Sequence, residues 1–119
     1  MKKLIATLAL AVGSALGLSA CAGPSVELTP NTIVIDVRTP AEFASGHLEG
    51  AVNIDVQSAD FAAQIAELDP NGEYFIYCRS GNRSAAAMAQ MSQMGFQNMT
   101  NGGSVQEAST MSGLDIVTG

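Results

Sequence analysis

Cys78 has the setting in this sequence that points most directly to chemistry. It ends an apolar, strand-like run, Glu73–Tyr77, and begins the segment Cys78-Arg79-Ser80-Gly81-Asn82-Arg83-Ser84. An Ala- and Met-rich helical stretch follows from about Ser84 to Met94, closed by Gly95. In a strand–loop–helix segment, backbone N–H groups can converge on one point, and the helix adds its unsatisfied amides and the positive end of its dipole. A thiol at that point is stabilised as thiolate, its nucleophilic form. Gly81 permits a backbone turn that a side chain with a Cβ would resist. Arg79 and Arg83 raise the local positive potential. The spacing predicts a small anion cradle with a nucleophilic sulfur at its floor. An inert buried cysteine at a strand end is the competing reading, because free cysteines are commonly buried. It leaves two arginines within five residues of that thiol unexplained.

Those arginines matter because positive charge is scarce. The 119-residue chain has five Lys and Arg, eleven Asp and Glu, and a net charge of −6. The basic residues are Lys2, Lys3, Arg38, Arg79 and Arg83. Nucleic acid is excluded as a partner, since a phosphate backbone needs Lys and Arg to neutralise it. An anionic membrane surface is disfavoured on the same ground. Two cysteines are too few for a disulfide-rich mini-domain or a four-ligand Cys-rich zinc site. No metal or cofactor is expected. The length fits one domain, which is expected to be monomeric.

The first residues read as an address. MKKLIATLALAVGSALGLSAC has a basic start, a 15-residue apolar run Leu4–Leu18, and small residues after it. The run is short of the ~20 residues a bilayer-spanning helix needs. Leu18-Ser19-Ala20-Cys21 resembles the bacterial lipobox. That resemblance implies a lipoprotein signal peptide over residues 1–20, cleavage before Cys21, and acylation of the Cys21 thiol. Ordinary secretion with cleavage after Ala20 or Ala22 is the alternative. Residues 21–30 then form a lipidated tether of at most about 30 Å, and residues 31–119 the domain. The expected location is a bacterial cell envelope, anchored to a membrane and facing the periplasm or exterior. Without the leader, three arginines face all eleven acids, a charge of −8 with no lysine.

Several elements must position Cys78. Thr32–Val37 reads as a buried strand and Ala51–Ile54 as a second short strand. Thr39-Pro40-Ala41-Glu42 is a capping box that opens a short helix. Ser58 is a candidate cap for a helix with Phe61, Ile65 and Leu68 on one face, stopped at Asp69-Pro70-Asn71-Gly72. Phe96–Met99 reads as a strand, and Ser104-Val105-Gln106-Glu107 as a second capping box for a last helix ending near Gly113. Met88, Met91 and Met94 read as core filler. The alternation predicts an α/β fold whose mainly parallel sheet is covered on both faces. Ligands in such sheets sit at the C-terminal ends of strands, where Cys78 lies.

Loop length separates chemistries. Cysteine phosphatases place five residues between Cys and a phosphate-clamping Arg. Here four intervene before Arg83, and Ser84 occupies the clamping position. The shorter loop suits a smaller adduct, such as one sulfur atom.

Asp36-Val37-Arg38-Thr39-Pro40-Ala41-Glu42-Phe43, Gly46-His47-Leu48-Glu49-Gly50-Ala51-Val52-Asn53-Ile54, the Tyr77–Ser84 segment, Gly95-Phe96 and Asn101-Gly102-Gly103 occur in that order. Together they resemble a single-domain rhodanese from about Asn31 to the C-terminus. The resemblance implies a three-layer rhodanese-like fold, with a central mainly parallel sheet flanked by helices. It implies that Cys78 accepts sulfane sulfur as a persulfide, in a six-residue loop of the sulfurtransferase type. Phosphatase-like and arsenate-reducing relatives carry seven residues. Leu48 stands where the family usually has Ile, and Ser104 where many members place a bulky residue.

The implied roles follow. The backbone N–H groups of Arg79, Ser80, Gly81, Asn82, Arg83 and Ser84 hold the persulfide. Arg79 is the candidate contact for an anionic sulfur donor such as thiosulfate. Arg83 braces the loop through a carboxylate such as Glu42 or Asp36, and Arg38 pairs an acid near the strand end. His47 fixes its segment through a hydrogen bond rather than acting as a base. The acceptor is a thiol or a protein. A non-catalytic sulfane-sulfur carrier is the alternative function.

Overall fold

The computed structural model describes residues 25–119. The leader, Cys21 and the first part of the tether lie outside the described residues. Within the described residues the chain order is β1 (Thr32–Asp36), α1 (Pro40–Ser45), β2 (His47–Leu48), β3 (Val52–Asn53) and α2 (Phe61–Ile65). It continues as β4 (Glu73–Cys78), α3 (Asn82–Gln93), β5 (Asn98–Ser104), α4 (Val105–Ser112) and β6 (Ile116–Val117).

The central sheet has the order β3-β1-β4-β5, and every pairing in it is parallel. Successive strand residues face opposite sides. On one side Ile35, Val37, Tyr74, Ile76 and Cys78 join Phe61 and Ile65 of α2 with Ala87 and Met91 of α3. On the other, Val34, Phe75 and Tyr77 meet Leu48 and Ala108 of α4. The result is the layered α/β fold that the alternation predicts. Strand parity alone puts the Cys78 side chain on the α3 side. Full burial of each large apolar side chain contributes about 1.5–3 kcal/mol.

Both capping boxes form. The Thr39 and Ser104 side chains accept from the N–H groups of Glu42 and Glu107, whose carboxylates accept from the cap backbones. Elsewhere boundaries move. Ser58 does not cap α2. Its hydroxyl accepts from Asp60 N, and Asp60 holds the cap position without a side-chain bond. Local turn formation by a Ser competes with capping and wins here. α3 begins at Asn82, two residues earlier than expected. β5 spans Asn98–Ser104 rather than Phe96–Met99, because pairing with β4 rather than local apolarity sets its extent. Met91 is buried and Met88 partly so, whereas Met94 is 36% exposed at the C-terminal end of α3.

A small antiparallel pair, β2 with β6, was not legible in the sequence. Val26 and Leu28, within the stretch read as a tether, pack on the α4 side of the sheet. Val26 N donates to Met111 O at 2.8 Å.

Candidate active site

Cys78 ends β4, fully buried. The chain then turns sharply through Gly81, whose φ of +93° is in the left-handed region that favours glycine. This turn points the Gly81 N–H back at the sulfur, 2.9 Å from Cys78 Sγ. Ser84, in the first turn of α3 and also fully buried, sets its Oγ 3.5 Å from the same sulfur. Burial pushes the Cys78 thiol up. The Ser84 hydroxyl and the amides of Ser84, Ser80 and Gly81 together outweigh that effect, and the thiol lies below its ordinary value.

The facing wall is the end of β5. The β4–β5 register shifts after Ile76, which pairs Asn101, so that Tyr77 pairs Gly103. Gly102 is the extra residue of this bulge. A Cβ there would lie 2.7 Å from the Phe75 ring. Asn101 is thereby aimed at the loop. Its Oδ1 lies 2.7 Å from Ser84 Oγ and accepts from Gly103 N at 2.8 Å. Its Nδ2 donates to Gly81 O at 3.2 Å.

Two ion pairs frame the loop. Arg83 reaches Glu42 of α1 with both guanidinium nitrogens, at 2.8 and 2.9 Å. Arg83, with Thr39 adding its backbone and hydroxyl bonds, holds the Glu42 carboxyl down at about 2. Arg38 pairs Asp36 at 2.7 Å, and both are buried. Arg38 also lies 5.8 Å from the Tyr77 ring centroid, and the Tyr77 hydroxyl accepts from Leu48 N. Arg79 is exposed and makes no ion pair with any described residue. It therefore supplies the unneutralised positive charge of the loop.

This arrangement favours a charged sulfur at Cys78. A model of the rhodanese-like domain matches residues 27–105, about two-thirds of the chain. The chain belongs to the rhodanese-like domain family.

Its relatives include sulfur-transfer proteins. Over 73 residues it is 32% identical to the thiosulfate sulfurtransferase PspE of Escherichia coli, covering 61% of this chain and 70% of that protein. Over 88 residues it is 40% identical to the thiosulfate sulfurtransferase GlpE of Pseudomonas aeruginosa, covering 67% and 77%. A solved structure described as a rhodanese with anions from E. coli superposes with a TM-score of 0.61 at 29% identity, over 74% of this chain and 99% of that one.

In this rhodanese-like domain Ser80, Gly81 and Ser84 of the loop bond toward Cys78 Sγ, while Asn82 N donates to Ser80 Oγ and Arg83 ties the loop to Glu42. Asp36 and Arg38 pair with each other beside the strand ends. His47 makes its side-chain hydrogen bond away from Cys78, to the backbone of α1. Its Nδ1 lies 2.8 Å from Phe43 O, and its ring stacks on Phe43 at 3.7 Å. The sequence alone does not reveal the contact that Asn101 makes with the loop. The signal available was an Asn placed just before the Gly102-Gly103 pair. No group of three His, Cys, Asp or Glu among the described residues is arranged to hold a metal ion.

Proposed function

We propose that this protein is a sulfurtransferase working through a Cys78 persulfide. The observation that carries the reading is the Gly81 N–H directed at Cys78 Sγ from 2.9 Å, inside a six-residue loop on a rhodanese-like fold.

The reaction has two steps. The Cys78 thiolate attacks the outer sulfur of a donor such as thiosulfate. A sulfur–sulfur bond forms to Cys78, the donor's S–S bond breaks, and sulfite leaves with the electron pair. The loop amides and Ser84 face the terminal sulfur's negative charge. A thiophilic acceptor, cyanide in an assay or a thiol in the cell, then attacks that sulfur and returns the Cys78 thiolate. Arg79 draws the anionic donor to an otherwise acidic domain. Arg83 braces the loop through Glu42.

The apolar leader and Leu18-Ser19-Ala20-Cys21 support lipidation at Cys21 and an envelope location. Among the described residues no helix is long and apolar enough to cross a membrane.

Two measurements test the reading. Purified protein is expected to yield thiocyanate from thiosulfate and cyanide, and intact-mass analysis to find one added sulfur on Cys78. Cys78→Ala is expected to lose both while keeping the fold by circular dichroism. A sulfur adduct retained on folded Cys78→Ala would overturn the assignment. Loading without turnover would replace the enzyme by a sulfur carrier. Intact mass of the native protein also reads the acyl groups on Cys21.

A further inference from the structure

Ser84 has one hydroxyl proton and three neighbours that compete for it. They are Asn101 Oδ1 at 2.7 Å, Gly81 O at 3.0 Å and Cys78 Sγ at 3.5 Å. The first two can only accept. The orientation of the Asn101 amide is determined by its other partners. Gly103 N can only donate, so it requires Oδ1, and Gly81 O can only accept, so it requires Nδ2.

In the resting thiol, the Ser84 proton therefore lies on Asn101 Oδ1, the shortest of the three contacts. The Ser84 oxygen turns a lone pair toward the S–H group. When the sulfur becomes charged, the thiol proton leaves to water. The Ser84 hydroxyl must then rotate and donate to the sulfur, and Asn101 Oδ1 loses that donor.

We propose that Asn101 is a positioning residue that sets the reactivity of Cys78 by competing with the charged sulfur for the Ser84 proton. No proton is transferred between Asn101 and Cys78; one hydrogen bond is redirected. Asn101 thus opposes ionisation, while Ser84 favours it. The inference deepens the sulfurtransferase reading by adding a residue from β5 to the sulfur site. Its test needs no sulfur donor, so it stands or fails separately from that reading.

The test is the pH profile of iodoacetamide alkylation of Cys78 in the full-length protein, with folding checked by circular dichroism. Asn101→Ala is expected to move the midpoint down by roughly half to one unit, the effect of one neutral hydrogen bond. That corresponds to a roughly three- to tenfold higher thiolate-to-thiol ratio. Asn101→Asp keeps an acceptor oxygen for Ser84 and adds negative charge, although it gives up the Nδ2 donation to Gly81 O, and is expected to move the midpoint up. Ser84→Ala is expected to raise the midpoint and to abolish the effect of Asn101→Ala in the double variant. For Asn101→Asp, the same background leaves only the through-space effect of the new charge. The proposal is overturned if Asn101→Ala leaves the midpoint in place or raises it. It is equally overturned if the Asn101→Ala shift persists in full without the Ser84 hydroxyl. Should Asn101→Ala fail to fold, the Asn101→Asp cycle decides by the same criterion: a shift unchanged by Ser84→Ala rejects the coupling.

Discussion

Arg83 grips both carboxylate oxygens of Glu42 across 41 residues of sequence, joining the loop after Cys78 to the first turn of α1. The pair is partly exposed, at 24% and 26% for the two side chains, so solvent limits its contribution to about 1 kcal/mol. Its larger effect is on loop position. Glu42→Gln is expected to lower the melting temperature by roughly 4–8 °C at most and turnover several-fold. Calorimetry and the thiocyanate assay check this. Because Glu42 is held at about 2 against an ordinary 4.5, its contribution is present above 4.5 and fades as pH falls from there toward 2. The stability gap between wild type and Glu42→Gln should close over that interval.

The thiol should ionise below the usual range, because the Ser84 hydroxyl and the loop amides outweigh burial. Alkylation of the wild-type protein is expected to reach half its plateau rate at a lower pH than free cysteine. Denaturation with urea should restore the ordinary midpoint. The same linkage favours the fold once the thiolate forms. Stability relative to Cys78→Ala should therefore rise with pH and reach a plateau above the unfolded thiol's value.

Gly81→Ala tests the aimed amide. The residue sits at φ +93°, where a Cβ is disfavoured, and that Cβ would lie 3.4 Å from Gly103 Cα. A cost of about 1–2 kcal/mol is expected from the left-handed conformation alone. If the backbone relaxes, the N–H leaves the sulfur, and persulfide formation should slow by more than tenfold. Stopped-flow loading with thiosulfate separates this from the change in melting temperature.

Asp36→Ala should be the most damaging of these substitutions. It leaves the buried Arg38 guanidinium without its carboxylate, a change that typically costs about 3–5 kcal/mol. Arg38 N also donates to Asp36 Oδ1 at 2.9 Å, so the turn after β1 loses an anchor. Urea titration is expected to show a large fall in the midpoint. The double variant Asp36→Ala/Arg38→Met should recover part of it, since no charge then stays buried alone.

Local patterns carried most of the fold. The strand alternation in Thr32–Val37 and Glu73–Cys78 separates the two cores, and both capping boxes are complete within four consecutive residues. Such signals are readable because every partner is close in the chain. β2 and β6 were not readable, since two residues show no period and their stability comes from each other. The start of α3 at Asn82 follows from the Gly81 turn, which the helical apolar spacing does not register.

For the site, the sequence by itself determined which groups are available for chemistry: a thiol at the end of a strand-like run, a six-residue loop after it that carries two arginines, and almost no other positive charge. Tertiary structure decided which partners serve it. Glu42 rather than Asp36 takes Arg83, because Asp36 is already committed to Arg38 in the interior. Asn101 reaches Ser84 because the β4–β5 bulge brings their side chains together across 17 residues. Composition and spacing specify which groups are present, whereas a hydrogen bond depends on ångström-scale placement that only the packed sheet and its bulge provide.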